Sequence, residues 1–251
     1  ALPILDSIFT VSEGQLITIT GTPESYKSVF VDNIIIGMAR EYGAKTAIYS
    51  PESNPIQLHI SRMCSIHNGF ELGEPDSPNR MPYQKFKESC DWINSHTAFI
   101  QPKSNTLDEI VGLWEILVMQ GFTKFVLDPY SRLRRDVEDE KRFAGNVLGR
   151  LSDFAQQTKA SVFLVAHPRK MTYEPQKNRQ NPVPDHMREY SVVSPYDISG
   201  SADFYNSSDT ILSLKRSRFN PKSPLQIWVM KSKLLHIAKS GSSVTLPYNY
   251  S

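Results

Sequence analysis

Cysteines and long apolar runs are scarce in this sequence of 251 residues. The two cysteines, Cys64 and Cys90, have neither the spacing of a metal-binding motif nor the number that a disulfide framework needs, which favours a reducing compartment. No apolar run approaches the roughly 18–20 residues that cross a bilayer, so we expect no membrane association. No secretory signal precedes the first predicted strand, and we expect the chain to be a fragment or domain of a longer protein.

Acidic residues are missing from the last part of the chain. None follows Asp209, whereas seven lysines and arginines lie between Lys215 and Lys239. The net charge is only +2, so the chain as a whole carries no nucleic-acid signal. The uneven distribution predicts a local basic surface near the C-terminus. Solvated edge strands, on which lysines prevent aggregation, are the alternative interpretation.

Hydrophobic periodicity predicts strands and helices in alternation. The predicted strands are residues 16–20, 45–50, 97–100, 125–128, 161–166, 209–214, 225–230 and 244–246. The predicted helices are residues 28–42, 55–67, 83–95 and 138–158, with another that begins at the capping box of Thr106 and ends before Gly121. This order indicates an α/β fold with a mostly parallel central sheet and helices on both faces, and such sheets bind ligands at the carboxyl ends of their strands.

Three segments are predicted to lie outside the sheet and its helices. Residues 1–15 form a lead-in, and residues 69–82 are rich in turn-forming residues and form a surface loop. Residues 168–195 contain five prolines and no periodicity, which predicts a long mobile loop. Loops of this length within a compact domain are usually functional or disordered.

The turn between the first strand and the first long helix resembles a phosphate-binding loop. Residues 21–28 read Gly-Thr-Pro-Glu-Ser-Tyr-Lys-Ser and differ from the pattern GxxxxGK[ST] at one position, where Tyr26 replaces glycine. A helix that begins in such a turn offers free N–H groups to an anion. Lys27 would neutralise the β- and γ-phosphates, and the Ser28 hydroxyl would coordinate Mg²⁺. A chance match is the alternative.

Three other side chains with possible chemistry lie at predicted strand ends. Asp128 ends an apolar strand and suits a Walker B aspartate, although a turn or helix cap explains it as well. Glu52 follows the second strand, where a carboxylate can activate the attacking water or simply belong to the turn. His167 ends another strand and can contact a γ-phosphate or be an ordinary hydrogen-bonded histidine. All of them in this order are far less expected by chance than any one alone.

Four segments carry a resemblance to the Toprim-linked ring helicases, the relatives of Twinkle and of the DnaB-like replicative helicases. They are Ser50-Pro-Glu52, Leu127-Asp-Pro-Tyr130, Val165-Ala-His-Pro-Arg-Lys170 and Pro195-Tyr-Asp-Ile-Ser-Gly-Ser-Ala202. The resemblance covers essentially residues 1–251 and implies a single RecA-like P-loop NTPase domain. It also implies ATP hydrolysis with Mg²⁺, translocation on single-stranded DNA and assembly into a homo-oligomeric, hexameric ring. The Toprim primase half lies outside this sequence, and a primase domain or separate primase is a possible partner.

The same resemblance implies roles for individual residues. Nucleotide would be bound by Gly21, Thr22, Pro23, Glu24, Ser25, Tyr26, Lys27, Ser28, Asp128 and Lys231, with Ser28 and Asp128 as the metal ligands. Glu52 would be the catalytic base, assisted by Lys27 and by His167 as the γ-phosphate sensor. Lys233 falls where relatives carry an arginine that reaches the active site of the neighbouring subunit.

Two departures from the family pattern affect the same reaction. Tyr26 replaces a glycine whose missing Cβ lets the backbone curl around phosphate, so we expect a distorted loop or a covered pocket. Lys233 lacks the planar, bidentate fork of arginine. Finger arginines are worth about 10³–10⁵ in rate, so hydrolysis is expected to be weakened.

DNA contacts are predicted in loops at the carboxyl ends of the strands, where basic side chains can follow a phosphate backbone. The candidates are Arg132, Arg134, Arg135, Arg169, Lys170, Arg216 and Arg218, each of which could also be an ordinary solvated charge. We therefore expect a replicative-type DNA helicase domain. The alternatives are a catalytically silent RecA-like module that binds DNA or partner subunits, and a RecA-like recombination or regulatory ATPase. The resemblance places the protein in the cytoplasm of a bacterium or phage-infected cell rather than in a mitochondrial matrix.

Overall fold

The computed structural model describes residues 3–73, 77–135, 139–169, 171–175, 184–198, 201–220, 222–234 and 238–247. Within these ranges, an eight-stranded sheet runs through the molecule. Its strands are β1 Leu16–Gly21, β2 Lys45–Tyr49, β3 Thr97–Phe99, β4 Phe122–Leu127, β5 Ser161–Val165, β6 Thr210–Lys215, β7 Leu225–Ser232 and β8 Ser243–Leu246. The helices are α1 Pro3–Asp6, α2 Lys27–Tyr42, α3 Ile56–Asn68, α4 Tyr83–His96, α5 Leu107–Met119, α6 Glu140–Thr158 and α7 Ser201–Ser207.

The sheet is mostly parallel, as predicted. Its spatial order is β3-β2-β4-β5-β1-β6-β7-β8, and neighbouring strands from β3 to β6 pair in parallel. Among the described strands, only β7 runs against its two neighbours, β6 and β8. The carboxyl ends of β1, β2, β4, β5 and β6 therefore lie at one edge of the sheet, whereas β7 ends at the opposite edge.

Two apolar clusters cover the two faces of the sheet. On one face α2, α3 and α4 pack around side chains such as Ile35 and Met63. On the other face Trp114 of α5, Phe125 of β4 and Phe154 of α6 form a triangle of rings with centroids 5.0–5.5 Å apart. Such ring pairs contribute about 0.5–1.5 kcal/mol each beyond the area they bury.

The structure adds regular elements that the sequence pattern does not predict. The lead-in contains the short helix α1, and α7 follows the segment Pro195–Asp197. Within the described parts of 168–195, Tyr173 bridges Tyr190 and Pro168 bridges Ile198, so the expectation of a wholly irregular loop is wrong. The boundaries of the predicted elements shift by up to three residues, the largest being the start of β4 at Phe122.

Cys64 of α3 and Cys90 of α4 lie side by side as free thiols, with their sulfur atoms 3.6 Å apart. Burial, together with the neighbouring Cys90, raises the pKa of Cys64 to about 12. The thiol is therefore protonated at neutral pH and packs as a small apolar side chain. No described helix is long and apolar enough to cross a membrane.

Lys124 is a buried cation on β4, and it makes the stability of the fold depend on pH. Its Nζ donates to Ser161 Oγ at 3.0 Å, and burial lowers its pKa from 10.5. Because the unfolded chain holds this proton up to a higher pH, stability rises as pH increases from the lowered pKa towards 10.5. Lys124→Met removes this contribution to the pH dependence, whereas exposed Lys141→Met retains it.

We therefore predict that Lys124→Met flattens the alkaline part of the stability profile. The free energy of unfolding, measured in urea between pH 7 and pH 10.5, rises more steeply for the wild type than for Lys124→Met. The difference in stability between these two proteins should shift in favour of the wild type as the pH increases. Parallel profiles for them would show that the folded structure does not depress this pKa.

Candidate nucleotide site at the carboxyl edge of the sheet

A close backbone contact sets the position of the β1–α2 turn. Gly21 ends β1 at φ 152°, and a Cβ built on it would lie 2.2 Å from the carbonyl oxygen of Leu214 in β6. The next amide, Thr22 N–H, donates to this same oxygen at 2.9 Å. Glycine is therefore required here both by its backbone angle and by the space available. The turn is fixed to the centre of the sheet as a result.

Lys27 begins α2 and folds back over the turn. Its Nζ lies 2.9 Å from the carbonyl oxygen of Thr22, 3.2 Å from that of Gly21 and 3.5 Å from Ser25 Oγ. Burial lowers the pKa of Lys27 to about 8, although nearby Asp128 and Glu52 oppose the shift. A buried ammonium that is surrounded by neutral carbonyls retains an unbalanced positive charge, which suits a phosphate ligand.

Tyr26 occupies the position of the missing glycine without unwinding the helix. Its backbone adopts the left-handed conformation, with φ 57° and ψ 40°, and α2 begins at the following residue. The expected distortion of the loop is therefore wrong at the level of the backbone. The ring is 46% exposed and packs under the guanidinium of Arg216, whose Cζ lies 4.5 Å from the ring centroid.

Asp128 follows β4 and faces the first turn of α2. Burial raises its pKa, whereas a hydrogen bond from Ser28 lowers it and the charges of Asp32 and Glu52 raise it further. The backbone N–H of Asp128 donates to the carbonyl oxygen of Tyr49 at 2.9 Å, which fixes the residue to the end of β2. The two predicted metal ligands, Ser28 and Asp128, thus lie together beside Lys27.

Glu52 and His167 meet across the same edge, although they follow different strands. Nε2 of His167 lies 3.8 Å from Oε2 of Glu52, and Nε of Arg132 donates to Oε1 of Glu52 at 2.7 Å. Burial lowers the pKa of His167, as do the charges of Lys27 and Arg132, and Glu52 opposes the shift. Both carboxylate oxygens of Glu52 therefore face a positively polarised partner.

Lys231 and Lys233 lie away from this site. They follow β7 to the opposite edge of the sheet, where Lys233 Nζ is 3.1 Å from Asp209 Oδ1 and Lys231 contacts the carbonyl oxygens of Tyr205 and Asn206. Asp209 also accepts from the backbone N–H of Leu16 at the start of β1. Neither lysine can reach the phosphate loop of its own chain, so a role at the nucleotide requires a second subunit.

The predicted DNA contacts divide into three groups. Four exposed arginines, Arg132, Arg134, Arg135 and Arg169, lie after β4 and β5 at the carboxyl edge. Arg218 lies after β6, partly buried against aromatic rings. Lys170 is outside the described residues.

Arg216 does not fit the prediction of a DNA contact. It is only 5% exposed, and its Nε donates to the carbonyl oxygen of Ser223 at 3.0 Å. Its backbone N–H lies 3.5 Å from Thr22 Oγ1. Arg216 is therefore part of the wall of the phosphate loop.

The arrangement fits ATP with Mg²⁺ better than a metal ion alone. The described residues contain no cluster of three or more His, Cys, Asp or Glu that could hold a metal. Mg²⁺ commonly takes only one or two protein ligands and completes its coordination with water and phosphate oxygens. Ser28 and Asp128 suit that role next to the buried ammonium of Lys27. In the phosphate loop, Thr22 and Ser25 are buried, whereas Pro23 and Glu24 face solvent.

Two interactions near the site are not predicted from the sequence. Arg132 pairs with Glu52, and the only sequence signal for Arg132 is a basic loop after β4. Asp32 of α2 is buried and accepts from His59 at 2.9 Å and from Arg62 at 2.7 Å, both on α3. A carboxylate within an apolar helix face is the signal that could have revealed this clamp between α2 and α3.

Comparison with known proteins agrees with the fold and the motifs. No protein-family model matches the chain. Over 233 residues the chain is 26% identical to the Twinkle homolog protein, chloroplastic/mitochondrial, of Arabidopsis thaliana, and the match covers 89% of this chain and 31% of that protein. The chain thus spans about a third of this curated relative.

Two solved structures share the architecture. The ATPase domain of a DnaB-like helicase superimposes with a TM-score of 0.68 and 13% identity over 94% of this chain and 81% of that chain. The KaiC-like protein PH0186 of Pyrococcus horikoshii OT3 has a TM-score of 0.58 and 13% identity over 93% of this chain and 85% of that chain. The RecA-like fold and the resemblance to Twinkle/DnaB-like helicase domains are thereby confirmed.

The contact between Gly21 and Leu214 leads to a prediction with an internal control. Gly21→Ala introduces a Cβ against backbone and should lower the free energy of unfolding by about 1–3 kcal/mol, as overpacking does. Gly112→Ala adds a Cβ in helix α5 where no atom lies within 4 Å, and should raise stability by about 0.4–1 kcal/mol. Urea unfolding of both variants checks this, and equal effects would contradict the required close approach.

Proposed function

We propose that the chain is the ATP-dependent motor domain of a replicative-type DNA helicase, which translocates on single-stranded DNA. The observation that carries this proposal is the convergence of Lys27, Ser28, Glu52, Asp128 and His167 at one edge of the sheet. They come from four different strand ends, and a site for phosphoryl chemistry needs a cation, metal ligands and a base together. The similarity to a Twinkle homologue supports the same proposal.

Each of these side chains has a role that follows from its surroundings. The ammonium of Lys27 holds the phosphate oxygens, and Ser28 and Asp128 hold Mg²⁺, which neutralises the charge on those oxygens when bound. Glu52 accepts a proton from the attacking water, since Arg132 orients its carboxylate at the edge of the site. His167 lies close enough to Glu52 to bring a terminal phosphate and the base together.

The site is incomplete within one subunit, which supports a homo-oligomeric ring. Lys231 and Lys233 lie at the edge opposite to the phosphate loop, so a head-to-tail neighbour could place them at the nucleotide. Heterologous contacts of this kind close into a ring when the rotation allows it, and we propose a hexamer. Lys233 supplies charge there without the bidentate fork of arginine.

A catalytically silent module is the second candidate, and specific residues favour it. Tyr26 holds a left-handed backbone conformation that costs a non-glycine residue about 1–2 kcal/mol, and Lys233 replaces the finger arginine. Such a module would bind DNA or neighbouring subunits through the exposed arginines Arg132, Arg134, Arg135 and Arg169. Nucleotide turnover distinguishes the two candidates.

The remaining assignments concern the protein's surroundings. A primase domain or a separate primase stays a proposed partner. A cytoplasmic location is proposed from the low cysteine content, whereas the curated relative is named for the chloroplast and the mitochondrion. Either place holds DNA, so the proposed activity does not depend on the choice.

We predict that the protein hydrolyses ATP and that single-stranded DNA stimulates the turnover. Lys27→Ala should abolish both nucleotide binding and turnover, whereas Glu52→Gln should retain binding and lose about 10²–10⁴ in rate, because only the proton acceptor is removed. Phosphate release and binding of a fluorescent ATP analogue measure the two properties, with Lys141→Ala on the distant surface of α6 as the matched control. A wild type that neither binds nor hydrolyses ATP would eliminate the helicase function.

We also predict that activity rises when the two unusual residues are restored. Tyr26→Gly relieves the left-handed strain, and Lys233→Arg provides the planar fork, so the double variant should exceed the wild-type turnover by at least about tenfold. Tyr26→Phe, which keeps both the ring and the strain, should behave as the wild type. A double variant that binds ATP but is no faster than the wild type would show that these residues do not limit the reaction.

A further inference from the structure

Five side chains form a continuous column beside the proposed DNA edge. In order they are Arg188, Tyr173, Tyr190, Arg218 and Phe219, which we call the aromatic column. Cζ of Arg188 lies 5.2 Å from the Tyr173 centroid, and the two tyrosine rings stack at 5.4 Å with an interplanar angle of 22°. Cζ of Arg218 lies 4.5 Å from the Tyr190 centroid and 5.1 Å from the Phe219 centroid.

Backbone and carboxylate contacts hold the column in place. Glu189 accepts from the hydroxyl of Ser217 and from the backbone N–H of Arg218, the latter at 3.2 Å. The backbone N–H of Glu174 donates to the carbonyl oxygen of Glu189 at 2.9 Å, and the carboxylate of Glu174 pairs with Lys215. The rings are therefore ordered before any ligand arrives, which reduces the entropy lost on binding.

The column is attached to the same turn that supports the phosphate loop. This turn, residues 216–220, follows β6, whose last residues pair with the end of β1. Arg216 contacts Tyr26 at one side of the turn, and Arg218 enters the column at the other. The open end of the column thus lies at the carboxyl edge of the sheet, among the exposed arginines.

Phe219 closes the column and leaves part of its ring in solvent. It is 52% exposed, and Arg218 packs against it. A phenylalanine ring offers no hydrogen-bonding group, so an exposed face binds a flat apolar partner such as a nucleobase. The surrounding charge favours an anionic chain, since four basic residues and no acidic one lie between positions 215 and 222.

We propose that the exposed face of Phe219 is a stacking platform for a base of single-stranded DNA, with the basic side chains around it following the phosphates. This inference rests on the proposed DNA-binding function and specifies how the bases are contacted. Stacking on an aromatic ring tolerates any base sequence, as a translocating protein requires. A single exposed phenylalanine with no ligand is the competing explanation, because isolated apolar residues are common on protein surfaces.

The test compares two oligonucleotides that differ only in their bases. Fluorescence anisotropy measures the affinity for a thymidine 20-mer and for an abasic 20-mer with the same phosphates. Phe219→Ala should weaken binding of the thymidine strand about 5–150-fold, the range for one stacked base, and leave the abasic strand unaffected. Tyr83→Ala, at a 79% exposed ring on α4, is the matched control and should change neither affinity.

A second variant keeps the test independent of any loss of folding. Phe219→Trp should retain the wild-type affinity, and its fluorescence should be quenched by the thymidine strand but not by the abasic strand. Equal losses on both strands, or no loss with Phe219→Ala, would overturn the platform while leaving DNA binding intact. A wild type that binds neither strand would overturn the DNA-binding function and the platform with it.

Discussion

The close approach of β1 and β6 at Gly21 and Leu214 is the constraint on which the rest of the site depends. It leaves no space for a Cβ, and it aligns the end of β1 with the turn that follows β6. The phosphate loop therefore begins at a fixed height on the central strand of the sheet. Asp128, Glu52 and His167 reach Lys27 because their own strands lie in parallel register with β1 or its neighbours.

Tyr26 shows how the loop tolerates a residue that its backbone disfavours. The left-handed conformation costs about 1–2 kcal/mol for a residue with a Cβ. The Arg216 guanidinium over the Tyr26 ring returns about 0.5–1 kcal/mol, or more where the pair is desolvated, as it is on the buried arginine side. The two terms are of similar size, so the loop keeps its shape and the helix starts at Lys27. The substitution thus changes the surface around the nucleotide more than the backbone beneath it.

Local signals predict most of the fold and half of the site. Strand and helix periodicity, the glycine at 21, the Lys27-Ser28 pair and the carboxylate after β4 all depend on residues near one another in sequence, and the structure places them as predicted. The contacts that the sequence does not reveal join distant segments: Arg132 with Glu52, Arg216 with Tyr26, and the column of rings on 171–175 and 184–190. Loop arginines look alike in a sequence, and only the packing separates the buried Arg216 from the exposed Arg134.

The turn at residues 216–220 gives the two proposed ligands a common mechanical element. Arg216 contacts the phosphate loop through Tyr26 and Thr22, and Arg218 contacts the aromatic column two residues later. A change in loop conformation on nucleotide binding would have to displace the Arg216 guanidinium or move the turn with it. Because Glu189 also holds the turn through Ser217 and Arg218, movement of the turn would carry Phe219 along. Nucleotide and DNA would then be coupled through a few backbone residues, without any change in the sheet.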